Sequence, residues 1–203
     1  AKASGRTGVA LGTSGPGATN LVTAIATAML DSVPVVFITG QVPGGLIGSD
    51  AFQETDVTGV TLPITKHNYL VTRAAEIAPT LVEAFRIAQA GRKGPVLVDI
   101  PKDVQLESCE FEWPVKIERR PGEHRRRRAT TDSFAEAAAL IAAAERPLIL
   151  AGQGVLLSGA TQELKEFAEK TQTPVALTLL GLDAIPHDHP LAGAGTMDLA
   201  EFS

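Results

Sequence analysis

Cysteine is almost absent. Cys109 is the one thiol in the chain, so no internal disulfide can form and a reducing compartment suits it. Its neighbours supply neither a helix start nor a basic partner that would activate it. Long apolar runs are missing too: no stretch reaches the roughly 20 residues of a membrane-spanning helix. The opening Ala1-Lys2-Ala3-Ser4-Gly5-Arg6 has no apolar signal core. Positive charge is not in excess, and a net charge of −5 gives no ground for nucleic acid as a partner. The one basic run, Arg125–Arg128, has no interleaved aromatics and follows Glu123, as a solvated linker would. His187 and His189 stand one residue apart with no third ligand at a zinc-like spacing, so no metal site is expected. These gaps point to a soluble protein inside the cell with no membrane partner, cytoplasmic in a bacterium and organellar in a plant or fungus.

What is present is a globular composition, with a hydrophobic content of 44% that suffices for a core. Short apolar strands alternate with helical patterns, which predicts an α/β fold: parallel-sheet, three-layer α/β/α units. The first is a β-α-β unit with a strand at Gly8–Gly12, a helix at Gly17–Leu30 and a buried strand at Pro34–Thr39. A loop from Gln41 to Asp50 follows. Thr65–Val71 reads as a short strand, and Ile77, Leu81, Phe85 and Ala88 recur at helical spacing within Ala74–Ala90. Gly91 suits the C′ position, and Gly94–Pro101 is the next buried strand. Between Glu107 and Thr131 prolines and mixed charges replace the periodicity, which predicts a linker. A new α/β pattern then begins: helix Asp132–Glu145 with Asp132 as N-cap, strand Pro147–Ala151, helix Thr161–Lys170 and strand Pro174–Thr178.

The most specific stretch is Thr13–Thr55. Its Thr13-Ser14-Gly15-Pro16-Gly17 turn sets a helix start at a strand end, where unpaired N–H groups favour an anion or a polar ligand edge. Such a turn also occurs in α/β proteins with no ligand there. Phe52 and Gln53 alone read as a loop anchor and a solvated amide. Lys66 and Lys102 alone read as surface lysines. A Gly-x-Gly such as Gly152-Gln153-Gly154 is weak evidence by itself.

Four blocks in order, TSGPGATN, DSVPVVFITGQVP, IGSDAFQET and ITKHNYLV, resemble the large catalytic subunit of acetolactate synthase, a thiamine-diphosphate enzyme family. The resemblance is strong from Gly8 to about Gln105 and looser through Gly181, and it implies that the chain is an internal piece of a longer protein. It divides the chain into the C-terminal half of a pyrimidine-binding domain (1–106), a linker (107–131) and the first part of a central FAD-binding, Rossmann-like domain (132–203). The implied activity is decarboxylation of pyruvate and ligation to a second 2-keto acid, pyruvate or 2-ketobutyrate. That step opens the biosynthesis of isoleucine, valine and leucine.

By the same resemblance, Ser14, Gly15 and Gly17 lie near the pyrimidine end of thiamine diphosphate, not its diphosphate. Gln53 contacts that cofactor, Phe52 walls the reacting centre, and Pro43 matches an inhibitor-contact proline of the QVP motif. Lys102 and Lys66 match lysines of the substrate channel, where an ammonium attracts a keto-acid carboxylate. Ser32, Arg92, Gly152, Gln153, Gly154, Thr178 and Leu179 match flavin-contact positions. The family's catalytic glutamate lies upstream of these blocks, so Glu54 does not inherit its role. The domain that holds magnesium and the diphosphate is also outside the chain, and the 203 residues alone are expected to be inactive. After His189-Pro190-Leu191 the family's glycine- and methionine-rich flavin segment gives way to Ala192–Asp198. The family's active site forms between two subunits, implying a homodimer or higher oligomer, with a possible regulatory small subunit. The alternatives are a related flavin-independent decarboxylase or carboligase, and a non-catalytic module on the same fold.

Overall fold

The computed structural model describes residues 1–111 and 130–193. The chain divides into two compact units, Ala1–Arg126 and Arg127–Ser203. Most of the expected linker, including Arg125–Arg128, lies outside the described residues, as does the segment from Ala194 onward.

In the first unit β1 (Gly8–Gly12) leads into α1 (Pro16–Thr19) and α2 (Val22–Leu30). The sequence predicts one helix here. Instead the chain tightens at Asn20 and Leu21, where Leu21 N–H donates to the Ala18 carbonyl three residues back. There follow β2 (Val35–Gln41), α3 (Val57–Thr61), β3 (His67–Leu70), α4 (Ala74–Gln89), β4 (Pro95–Pro101) and α5 (Lys102–Leu106). Gly91 stands two residues past α4 with φ +56°, a left-handed conformation that costs glycine little. Neither α3 nor α5 was expected; each is five residues long, too short to show helical periodicity.

The four strands form one parallel sheet in the order β1-β2-β4-β3. Every residue of β4 is buried, which explains its unbroken apolar run. Side chains alternate between the two faces. Val36, Val96, Val98 and Ile100 pack with Ala84 and Ala88 of α4 and Val104 of α5. Phe37 and Leu97 pack on the other face with Ala18, Ile25, Ala28 and Val57 from α1, α2 and α3. Helices therefore cover both faces, and this unit has the expected three layers.

The second unit runs α6 (Thr131–Ala143), β5 (Ile149–Ala151), α7 (Gln153–Ser158), α8 (Thr161–Thr171) and β6 (Val175–Leu177). Strands β5 and β6 pair in parallel. Their core joins Ala151, Val175 and Leu177 to Ala168 of α8, with Val155 and Leu156 of α7 packed against it. Helix α6 buries no residue, so the described core of this unit is built by α7 and α8 against the two strands. Its N-cap is Thr130, whose hydroxyl accepts from Ser133 N–H, and not Asp132, which falls in the first turn.

Candidate cofactor cleft

Connections after β1 and β2 return over one face of the first sheet, whereas those after β3 and β4 return over the other. Between the carboxyl ends of β2 and β4 they diverge, and an open parallel sheet leaves a crevice at such a switch point. A cleft of about 560 Å³ lies there. Its walls are Leu11–Ser14 at the end of β1, Ile38–Pro43 at the end of β2, Phe52 and Gln53 from the loop, and Ile100, Lys102 and Gln105 at the end of β4. Ser14, Pro43, Phe52, Gln53 and Lys102 are thus brought together.

Gly15 is the N-cap of α1 and has φ +56°. A Cβ there would lie 2.7 Å from the Gln53 carbonyl oxygen and 2.9 Å from Gln53 Cα, so the two backbones touch only because residue 15 is glycine. Gln53 itself has φ +62°, uncommon for a residue with a side chain, and Phe52 beside it is 89% exposed. Gly17, inside α1, turns its carbonyl toward Gly12 at the cleft floor.

Side-chain acceptors staple the loop from Gln41 to Thr55. Asp103, in the first turn of α5, accepts from Gly44 N–H with both oxygens at 3.0 Å. Glu54 accepts from Gly48 N–H and, at 2.9 Å, from Ala51 N–H, and these backbone bonds hold its carboxyl below the usual range. Glu54 is committed to its own loop and is not aimed at the cleft as a proton donor.

Below the cleft lies a buried polar cluster. Thr39 Oγ1 donates to Asp99 Oδ1 at 2.6 Å, and Gln41 Nε2 donates to Asp99 Oδ2 at 3.0 Å and to the Thr55 carbonyl at 2.8 Å. Gln41 Oε1 accepts from Val42 N–H at 2.9 Å. Burial pushes the Asp99 carboxyl up to about 6, against the two donors that favour its charged form, and the charge of Asp56 at the start of α3 adds to the rise. Sequence reasoning missed Thr39, Gln41 and Asp99. The available signal was Asp99 itself, an acid inside the strand Val96–Ile100, because a buried carboxyl requires partners.

Other expected site residues lie elsewhere. Lys66 immediately precedes β3, at the amino edge, and its ammonium donates to the carbonyls of Ile87 and Ala90 at the end of α4. It does not join the cleft, and its stem is half-buried against that helix end. Arg92 donates through Nε to Ser32 Oγ at 2.8 Å and through Nη2 to the carbonyls of Met29 and Leu30 at 3.2 and 3.0 Å. Ser32 and Arg92 are therefore one cluster at the end of α2, away from the cleft. In the second unit Gly152, Gln153 and Gly154 open α7 after β5, and Thr178-Leu179 follows β6. Thr178 N–H donates to the Ala151 carbonyl at 3.0 Å, which draws the two strand ends together.

Residues 1–60 match the model of the thiamine pyrophosphate enzyme N-terminal TPP-binding domain, and residues 134–201 match that of the thiamine pyrophosphate enzyme central domain. The chain belongs to the thiamine pyrophosphate enzymes. It is similar to acetolactate synthase of Mycobacterium bovis, 53% identical over 93% of this chain and 30% of that protein. It is also similar to the acetolactate synthase large subunit of Corynebacterium glutamicum (51% identical; 94% of this chain, 30% of that protein). The large subunit of acetolactate synthase isozyme 1 of Escherichia coli is 49% identical over 95% of this chain and 33% of that protein. The chain thus spans about a third of the length of these relatives.

The cleft fits one end of the family's cofactor. Its lining offers backbone, hydroxyl and amide groups, with Lys102 its only charged side chain, and the contact of Gly15 with the Gln53 backbone sets Gln53 at the cleft wall. Such walls suit the neutral pyrimidine ring. No described helix is long and apolar enough to cross a membrane.

Proposed function

We propose that the protein is an acetolactate synthase catalytic subunit, which decarboxylates pyruvate and joins the two-carbon unit to pyruvate or 2-ketobutyrate in branched-chain amino-acid biosynthesis. The observation that carries this reading is the alignment of about half of all residues, over nearly the whole chain, with relatives of that name. When bound, thiamine diphosphate supplies the means of stabilising a carbanion on the former carbonyl carbon.

The chain's own residues bind and orient. Ser14, Gly15 and Gly17 form the turn against which the pyrimidine rests, and Gln53 presents its amide to that ring. Phe52 and Pro43 exclude water from the mouth of the cleft. The Lys102 ammonium draws in the keto-acid carboxylate. Residues 1–106 are read as part of the pyrimidine-binding domain, 107–131 as a linker and 132–203 as part of a central FAD-binding domain. Ser32, Arg92, Gly152, Gln153, Gly154, Thr178 and Leu179 are assigned to FAD, and magnesium with the diphosphate to a domain beyond this chain. Exposed Phe52 at the cleft mouth suits a second catalytic subunit facing it, so the working form is a homodimer or higher, with a regulatory small subunit as a further partner. The bacterial relatives and the lone thiol support the cytoplasm as its compartment.

The test is acetolactate production from pyruvate by the complete gene product with thiamine diphosphate and magnesium, with and without FAD. FAD-dependent product formation that falls by orders of magnitude in Gln53→Ala supports the reading. Activity with no flavin requirement transfers the protein to the flavin-independent decarboxylases and carboligases. Absence of both reactions leaves a non-catalytic module.

A further inference from the structure

Period-two alternation places Thr39, Gln41 and Asp99 on the same sheet face as Phe37 and Leu97, in a row that ends at the carboxyl edge. Asp99 is 1% exposed and Thr39 equally so, and Gln41 is nearly as deeply buried. A carboxyl in such a place is costly unless its oxygens find donors, and here both do. The Gln41 amide is fully used: two hydrogens go to Asp99 and Thr55, and its oxygen takes the Val42 N–H. Rotating the amide by half a turn would set its NH2 against Val42 N–H, donor against donor. Its orientation is therefore fixed, and the acceptor that fixes one of its two hydrogens is Asp99.

The other hydrogen holds Thr55. Two residues before it stands Gln53, whose backbone rests against Gly15. Glu54, between them, ties the same loop to Gly48 and Ala51. A continuous set of contacts thus runs from the centre of the sheet through Asp99, Gln41 and Thr55 to the Phe52–Gln53 turn. We propose that Asp99 is a positioning residue for the cleft, which acts through Gln41 and the Thr55 carbonyl to hold the Phe52–Gln53 turn in register against Gly15. Its functional consequence rests on the thiamine-enzyme reading above. Asp99 does not touch the cleft and does not exchange protons with substrate.

Three variants of the complete gene product test this, read by amide hydrogen exchange at Ala51 and Glu54, by the KM for thiamine diphosphate and by melting temperature. Asp99→Val removes the buried carboxyl but leaves the Thr39 hydroxyl and one Gln41 N–H without an acceptor, so the melting temperature is expected to fall modestly. Exchange at the loop amides should rise roughly tenfold, and the KM should rise by a similar factor. Gln41→Met removes the donor to Thr55 and should do the same, which preserves the test should Asp99→Val fail to fold. Asp99→Asn retains an oxygen that accepts from Gln41 and should recover loop protection relative to Asp99→Val. Unchanged loop exchange in Asp99→Val or Gln41→Met overturns the proposal, as does a KM that merely follows melting temperature across the set. Should the wild-type protein not bind thiamine diphosphate, the functional reading fails while the exchange data still decide the positioning role.

Discussion

Thr39 and Asp99, sixty residues apart in sequence, lie directly opposite one another in β2 and β4 and share a 2.6 Å hydrogen bond. The bond stands at the divide where the chain's crossovers part to opposite faces, so the polar cluster and the cleft have one structural origin.

Stability should depend on pH through Asp99. Its folded value of about 6 lies above the ordinary 3.8, so between these values the folded protein keeps a proton that the unfolded chain has released. The stabilising contribution is therefore full below 3.8 and is lost as pH rises through about 6. Relative to Asp99→Asn, the wild type should gain up to about 3 kcal/mol on going from pH 7 to pH 4. Paired thermal melts across that range check it, and a difference that does not vary with pH contradicts it.

Gly15→Ala should damage the cleft more than the fold. The left-handed backbone and the contact with Gln53 together should cost about 1–3 kcal/mol. The Phe52–Gln53 loop should be displaced, and the KM for thiamine diphosphate should rise well beyond what the lost stability explains. Melting and cofactor titration of the same preparation separate the two effects.

The two lysines should behave oppositely. Lys66→Met leaves the α4 carbonyls without their ammonium donor and should lower stability by about 1–3 kcal/mol, with the KM for pyruvate unchanged. Lys102→Ala should leave the melting temperature in place and raise the KM for pyruvate about tenfold through loss of one charge at the cleft. Steady-state kinetics beside melting curves would expose a reversal of these roles.

Arg92 should resist conservative replacement. Its planar fork reaches Ser32 and two carbonyls at once, which a single ammonium cannot reproduce, so Arg92→Lys should resemble Arg92→Ala. Each is expected to loosen the end of α2 by about 1 kcal/mol. Flavin retained on gel filtration is the second readout, and full retention in Arg92→Lys would argue against the assignment.

The strands were legible because β2 and β4 are dense in branched apolar residues between Pro and Gly, a local property. So were the three longest helices, α4, α6 and α8. The break at Asn20 was not, because the Ala-rich run continues across it and the tighter turn follows from how Leu21 packs beneath Gly12. The N-cap was misplaced because Thr130, Thr131 and Asp132 are three adjacent capable residues, and only the fold chooses Thr130. In the cleft, Phe52, Gln53, Pro43 and Lys102 were legible through motif resemblance. Thr39, Gln41 and Asp99 were not, since their meaning lies in a strand pairing that sequence order conceals. The contact of the Lys66 ammonium with the end of α4 was not legible either, because the tertiary fold brings that helix end to the start of β3.

Among the described residues β3 has β4 as its only strand partner, and β4 is also bonded to β2 along its whole length. The link between β2 and β3 therefore passes through Pro95–Pro101 alone, and an opening that frees this strand unpairs both of its neighbours at once. Amides of β2, β3 and β4 should accordingly exchange as one cooperative group, whereas the amides of the Gln41–Thr55 loop exchange on their own.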